Sequence, residues 1–108
     1  MKGGYPLRID FHTHVFPDKL AEKALTSISK HTGAPYFTNG TVADTDKKLK
    51  EWDVDVSVAQ HIATNPKQQY NLNTWAAEIQ TENRFCFGSI HPDSPDTLFE
   101  LERIKNLG

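Results

Sequence analysis

The sequence predicts an α/β fold in which parallel strands alternate with helices, about three βα units in all. Three short segments, residues 7–14, 54–61 and 85–90, alternate in polarity or are rich in β-branched and aromatic residues, as strands are. Amphipathic segments with helical spacing separate these strands and follow the last one. Because helices lie between successive strands, we expect parallel pairing through right-handed crossovers.

The first strand and the helix after it have the clearest patterns. One face of residues 7–14 is apolar or small: Leu7, Ile9, Phe11, Thr13. The other face is polar throughout: Arg8, Asp10, His12, His14. Pro17 and Asp18 then predict a helix start, and Gly33 predicts its end. The apolar stripe of this helix is Leu20, Ala21, Ala24, Leu25 and Ile28.

The remaining helices follow from turn and capping signals. Residues 33–40 predict a loop, and Thr41 is the expected N-cap of a second helix. Pro66 opens a third helical segment, and Ser94 with Pro95 opens the last. The apolar positions expected on these helices are Val42, Leu49, Trp52, Leu72, Trp75, Ala76, Ile79, Leu98, Leu101 and Ile104. Both tryptophans are expected in the core, and Glu78, Glu82 and Glu100 are expected to face solvent.

The length of the chain indicates that this domain is partial. A parallel sheet is covered on both faces or closed into a barrel, and three strands cannot close. A (β/α)₈ barrel needs about 250 residues, whereas this chain has 108 residues. Residues 1–108 therefore predict one partial TIM-barrel domain that is truncated before the fourth strand. A complete small α/β domain is the alternative.

Composition excludes several classes of function. The net charge is −2 and the basic residues are scattered, which argues against nucleic-acid binding. No apolar run is long enough to span a membrane, and residues 1–6 lack the apolar stretch of a signal peptide. The single cysteine, Cys86, fits a reducing compartment. No phosphate-binding glycine loop, GxSxG elbow or CxxC motif is present. We expect a cytoplasmic protein without a membrane or nucleic-acid partner.

His12 and His14, at the end of the first strand, are the candidate metal ligands. Residues i and i+2 of a strand point to the same side about 6–7 Å apart, so both imidazoles can reach one cation. Spacing alone also fits two partly exposed polar residues at a strand end. Their position favours a metal site, because α/β barrels place their sites at the C-terminal ends of the strands.

Three further residues are candidates for contacts with the substrate or with the metal ligands. His61 and His91 end the second and third predicted strands, so all three strands end in histidine at the same edge. Each alone fits ordinary strand-end polarity, whereas their convergence favours a shared site. Asp10, on the predicted face of His12, is expected to orient an imidazole or to pair with Arg8.

The motifs resemble a known family. Residues 9–17, which contain Asp10-Phe11-His12-Thr13-His14, resemble the opening of the amidohydrolase superfamily, whose first strand carries a His-x-His metal motif. The similarity is greatest to the amidohydrolase-related branch, which includes aminocarboxymuconate-semialdehyde decarboxylase-like enzymes. Residues 49–58 are similar to the second unit of that branch, and residues 83–92 to its third.

This resemblance implies a distorted TIM barrel that binds one divalent metal ion, zinc foremost, through His12 and His14. The other metal-site residues and the general base would come from later strands, so the catalytic base is unknown and the 108-residue chain alone is expected to be inactive. The intact enzyme would be a metal-dependent hydrolase acting on a C–N, C–O or C–C bond of a small molecule, with decarboxylation as the C–C case.

Two alternatives stay open. A His-x-His phosphoesterase of the polymerase-and-histidinol-phosphatase type, or a TatD-like nuclease, begins with a similar strand. A non-catalytic α/β fragment is the other alternative, and its exposed sheet edges and apolar faces would make it self-associate. A homo-oligomer is also left open.

Overall fold

A computed structural model describes residues 6–108. Residues 1–5, which carry most of the segment that argues against a signal peptide, lie outside the described residues. The elements follow one another as β1 (Ile9–Thr13), α1 (Asp18–Thr32), α2 (Val42–Glu51), β2 (Val56–Gln60), a 3₁₀ turn (Pro66–Gln68), α3 (Gln69–Glu78), β3 (Arg84–Phe87) and α4 (Thr97–Leu107). The predicted order of strands and helices is confirmed, although each strand is shorter than its sequence pattern.

The strands form one open parallel sheet in the order β1-β2-β3. This arrangement confirms the α/β class and is compatible with a piece of a fold built from βα units. Each strand pairs with its sequence neighbour, as expected when a helix carries the chain from one strand to the next. The carboxyl ends of the three strands therefore lie along one edge, which we call the carboxyl edge.

An irregularity in β1 breaks the predicted alternation of its faces. Asp10 pairs with Ser57 and Thr13 pairs with Ala59, so β1 contains one residue more than β2 over this stretch. Ser57 and Ala59 lie on one face of β2, and the pairing puts Asp10 and Thr13 on that face too. The prediction of a single polar face holding Asp10, His12 and His14 is therefore wrong.

The helix starts and stops are largely those the sequence predicts. Gly33 ends α1 in the left-handed conformation, with φ 72°, and its amide donates to the Ser29 carbonyl. The Thr41 hydroxyl accepts a hydrogen bond from the Asp44 amide at 3.1 Å and caps α2. The last helix differs, because α4 begins after Asp96 rather than at Ser94. The Ser94 hydroxyl donates to the Asp96 carboxylate at 2.5 Å instead.

Two expectations about the core are wrong. Trp52 follows the end of α2 and is 48% exposed, whereas Glu100 on α4 is only 1% exposed. The Glu100 carboxylate accepts hydrogen bonds from the Arg103 guanidinium, which also donates to the Tyr70 carbonyl of α3 at 2.8 Å. Since this ion pair faces α3, the leucines of α4 turn outward, and Leu98 is 81% exposed.

One face of the sheet is apolar and open. Phe85 and Phe87 alternate with Arg84 and Cys86, and the Arg84 side chain contacts Asp46 of α2 and the Ile79 carbonyl at the end of α3. The phenyl rings therefore lie on the opposite face, where Phe87 is 57% exposed and Phe11 of β1 is 64% exposed. None of the helices within residues 6–108 is both long enough and apolar enough to cross a membrane.

Candidate metal centre

The His12 and His14 side chains meet at the carboxyl end of β1. Their Nε2 atoms are 3.0 Å apart, and their rings cross at 76° with centroids 4.9 Å apart. At the usual Zn–N distance of about 2.0–2.1 Å, the two nitrogens would subtend an angle of about 91–97° at a zinc ion. That angle lies between the octahedral and tetrahedral ideals, so the two nitrogens fit a pair of ligands to one cation.

The tautomer of His14 is set by the backbone of β2. Its Nδ1 lies 2.7 Å from the carbonyl oxygen of Gln60. Because a carbonyl oxygen can only accept, Nδ1 carries the proton, and the neutral ring has its lone pair on Nε2. Metal-binding histidines characteristically donate their second ring N–H in this way. His14 is therefore held in the tautomer that a ligand needs.

His12 is bonded differently. Since His14 Nε2 is an acceptor, the 3.0 Å contact requires His12 to donate from its own Nε2. A cation between the rings needs lone pairs on both nitrogens, so it would replace this one proton. A metal ion bound between the two rings would therefore displace the proton that lies between the two Nε2 atoms.

Hydrogen bonds fix the backbone around the pair. The Gln60 side-chain amide donates to the Phe11 carbonyl at 2.8 Å, and the Thr13 hydroxyl donates to the Val58 carbonyl at 3.0 Å. The Asp10 carboxylate accepts from the His12 backbone amide at 3.0 Å. Among residues 6–108, the Asp10 carboxylate thus bonds the main chain of β1 rather than the imidazole ring that it was expected to orient.

His61 lies at the same edge, one residue after β2, and is buried with 7% exposure. Its ring packs edge-on against Trp75, and neither ring nitrogen has a hydrogen-bond partner among residues 6–108. Burial, and secondly the neighbouring His14, lower the pKa of His61 from 6.5 to about 4. Its imidazole is therefore neutral at physiological pH.

His91 does not end a strand. β3 stops at Phe87, and His91 lies four residues later in the loop before α4. The strand is shorter than predicted because the side chain of Asn73 on α3 binds the backbone of Ser89. Its amide nitrogen donates to the Ser89 carbonyl and its amide oxygen accepts from the Ser89 N–H, each at 2.8 Å. Those bonds take the place of further pairing with β2.

Two buried amides position this loop, and the sequence pattern did not predict them. Gln69 and Asn73 are both 2% exposed, one helical turn apart on α3. Gln69 accepts from the His91 amide at 2.9 Å and donates to Ser94 and Asp96. Their i, i+4 spacing is visible in the sequence, but the buried face of a helix is inferred from its apolar residues, and these two are polar.

Within residues 6–108, no group of three or more His, Cys, Asp or Glu side chains is arranged to hold a metal ion. His12 and His14 thus fit two ligands of a site, where a catalytic zinc has at least three protein ligands. Comparison of the chain with protein-family models, with characterised proteins and with solved structures finds no match.

Proposed function

We propose that this chain carries the first-strand metal ligands of an amidohydrolase-type, metal-dependent enzyme. One observation carries the proposal: the two Nε2 atoms of His12 and His14 are 3.0 Å apart, and the Gln60 carbonyl fixes His14 in the ligand tautomer. Two partly exposed polar residues at a strand end would not need either feature. The ion would be divalent. Zinc is the favoured candidate because imidazole nitrogen is one of its preferred ligands.

The open sheet supports a barrel as the complete fold. Its three strands are parallel and in sequence order, and aromatic residues such as Phe11 and Phe87 stand exposed on one face. Parallel sheets are covered on both faces, and the interior of a βα barrel is filled by bulky side chains from its strands. Further βα units that close the barrel would bury this face and supply the missing ligands and the general base.

The residues of this chain have distinct parts in such an enzyme. His12 and His14 hold the ion, and Gln60 keeps the His14 ring in place. When bound, the ion supplies Lewis acidity and lowers the pKa of a water molecule toward about 7. His61, a buried neighbour of His14 that packs on Trp75, would lower the local dielectric and so strengthen charge interactions at the ion. The substrate is a small molecule that loses a C–N, C–O or C–C bond.

Metal content tests the proposal. The protein is purified as its source cell makes it, and zinc, manganese, iron, cobalt and nickel are measured per chain. We expect about one divalent ion in the wild type and its loss in the double variant His12→Ala/His14→Ala. His31→Ala is the matched control, because His31 is an exposed histidine whose ring bonds to the Ser27 carbonyl of its own helix. Unchanged metal content in the double variant would overturn the assignment.

The metal-loaded protein then separates the reaction classes. Turnover of amides, esters or carboxylates supports the amidohydrolase assignment. Turnover of phosphate esters alone, lost in the same double variant, would instead identify a His-x-His phosphoesterase or nuclease. A metal-free, inactive wild type would identify a non-catalytic α/β chain.

A further inference from the structure

His91 has a fixed ring whose role the metal pair does not explain. Its backbone amide donates to Gln69 Oε1 at 2.9 Å, and its Nδ1 accepts from the Asp93 amide at 3.1 Å. Gln69 is in turn anchored by Ser94 and Asp96. A loop histidine without a function would not need hydrogen bonds to both its backbone amide and its ring.

The Asp93 amide fixes the tautomer of His91. A backbone N–H can only donate, so Nδ1 is the acceptor and the neutral ring carries its proton on Nε2. This is the opposite of His14, whose Nδ1 donates to a carbonyl. If His91 became protonated, Nδ1 would face the Asp93 carboxylate at 4.0 Å, and Nε2 would still carry a hydrogen. Nε2 is thus a donor in both charge states.

This donor has no partner in the described part of the chain. No hydrogen bond from His91 Nε2 is found among residues 6–108, and the His91 side chain is 19% exposed. A neutral ring protonated on Nε2 is unsuited to bind a metal ion through that atom. It suits an oxygen that carries full or partial negative charge.

The loop of His91 is tied to the carboxyl edge. The Ser89 hydroxyl accepts from the Ala63 amide at 2.9 Å, which joins the loop after β3 to the loop after β2. Strands β1 and β3 flank β2, so the segments that follow them leave the sheet at the same edge, about 10 Å apart at the usual spacing of neighbouring strands. A small molecule that spans this edge would reach from the His12–His14 pair toward the loop of His91.

We propose that His91 is a substrate-binding residue that donates from Nε2 to a carboxylate or carbonyl oxygen of the substrate. The inference rests on the proposed function, since it takes the metal pair as the other end of the site. It narrows the substrate to a small molecule with such an oxygen on the side remote from the metal.

NMR of the full-length protein labelled with ¹⁵N-histidine tests this role, because two-bond couplings distinguish the two neutral tautomers. At pH 8 we expect His91 to carry its proton on Nε2 and His14 on Nδ1. After zinc is added, acetate and then benzoate serve as the carboxylate probes. We expect them to shift the His91 Nε2 resonance and leave His31 unchanged.

Two variants separate donation from loop structure. His91→Gln keeps a donor near the Nε2 position, whereas His91→Asn keeps an acceptor near Nδ1 but its shorter side chain leaves no donor at the Nε2 position. We expect benzoate binding to weaken about tenfold in His91→Asn and by less than about threefold in His91→Gln. An Nδ1-protonated His91, or equal benzoate affinity in wild type and His91→Asn, would overturn the inference. Failure of zinc to shift His12 and His14 would overturn the proposed function separately, and the His91 readout would still decide its own role.

Discussion

The His61 imidazole packs edge-on against the Trp75 indole, with ring centroids 5.5 Å apart and an interplanar angle of 89°. The histidine is 7% exposed, and neither of its ring nitrogens has a partner among residues 6–108. A buried polar group without a hydrogen bond costs about 1–3 kcal/mol. We therefore expect His61 to weaken the fold at the carboxyl edge, beside His14.

Replacing His61 with phenylalanine should stabilise the chain. A phenyl ring keeps the edge-on contact with Trp75 and removes two unpartnered polar atoms, so we expect a gain of about 1–2 kcal/mol in the free energy of unfolding. Urea denaturation measures it. The control His31→Phe, on the exposed surface of α1, should change stability by less than about 0.5 kcal/mol. A loss of stability in His61→Phe would mean that something bonds the ring nitrogens.

His61 should also make the free energy of unfolding sensitive to acid. Burial lowers the pKa of His61 from 6.5 to about 4, so the unfolded chain binds more protons than the folded one between these values. The stability that neutral His61 preserves is fully present above pH 6.5 and is lost as the pH falls toward 4. Between about pH 7 and pH 4.5 we expect the wild type to lose about 2 kcal/mol more than His61→Phe. Parallel unfolding curves for the two proteins would contradict the prediction.

Replacing Asp46 should lower the stability of the fold substantially, although its side chain is half-exposed, because it pairs with the buried Arg84. Arg84 Nη1 lies 2.7 and 2.8 Å from the two oxygens of Asp46, and the guanidinium is almost fully buried. Asp46→Ala leaves that charge without its carboxylate, so we expect a loss of about 1–3 kcal/mol. Glu51→Ala is the control, since Glu51 pairs with Lys48 at 3.6 Å near solvent and should contribute under about 0.5 kcal/mol. Equal losses in the two variants would contradict the prediction.

The open apolar face predicts self-association of the 108-residue chain on its own. We expect its sedimentation coefficient to rise with concentration, because the exposed phenyl rings of β1 and β3 bury each other between copies. Phe11→Ser/Phe87→Ser should reduce this rise. Phe37→Ser is the control, because Phe37 is even more exposed but lies in the α1–α2 loop. A wild-type chain that stays monomeric would contradict the prediction.

The sequence pattern correctly predicted the features that depend only on neighbouring residues. The strands follow from alternation and β-branched runs, and the helix ends at Thr41 and Gly33 follow from capping chemistry, which depends only on neighbouring residues. The sequence also predicted that His12 and His14 lie together at the end of the first strand, but the orientation of the His14 ring depends on the Gln60 carbonyl of β2. The strand positions and the helix ends need no knowledge of a distant partner.

The predictions that failed concern features that depend on contacts between residues far apart in the sequence. The extra residue of β1 depends on pairing with β2, and the early end of β3 depends on Asn73 of α3. The burial of Glu100 depends on Arg103 reaching across to α3, so a stripe of leucines did not predict which face of α4 is buried. Likewise, the opposite tautomers of His14 and His91 depend on whether a backbone carbonyl or a backbone amide lies opposite Nδ1.

The most direct measurement is X-ray absorption at the zinc edge of the zinc-loaded full-length protein, compared with its His12→Ala/His14→Ala variant. We predict imidazole scattering with Zn–N distances of about 2.0–2.1 Å, reduced by two histidines or lost with the metal in the variant. Identical zinc content and identical imidazole scattering in the two proteins would contradict a metal site at His12 and His14.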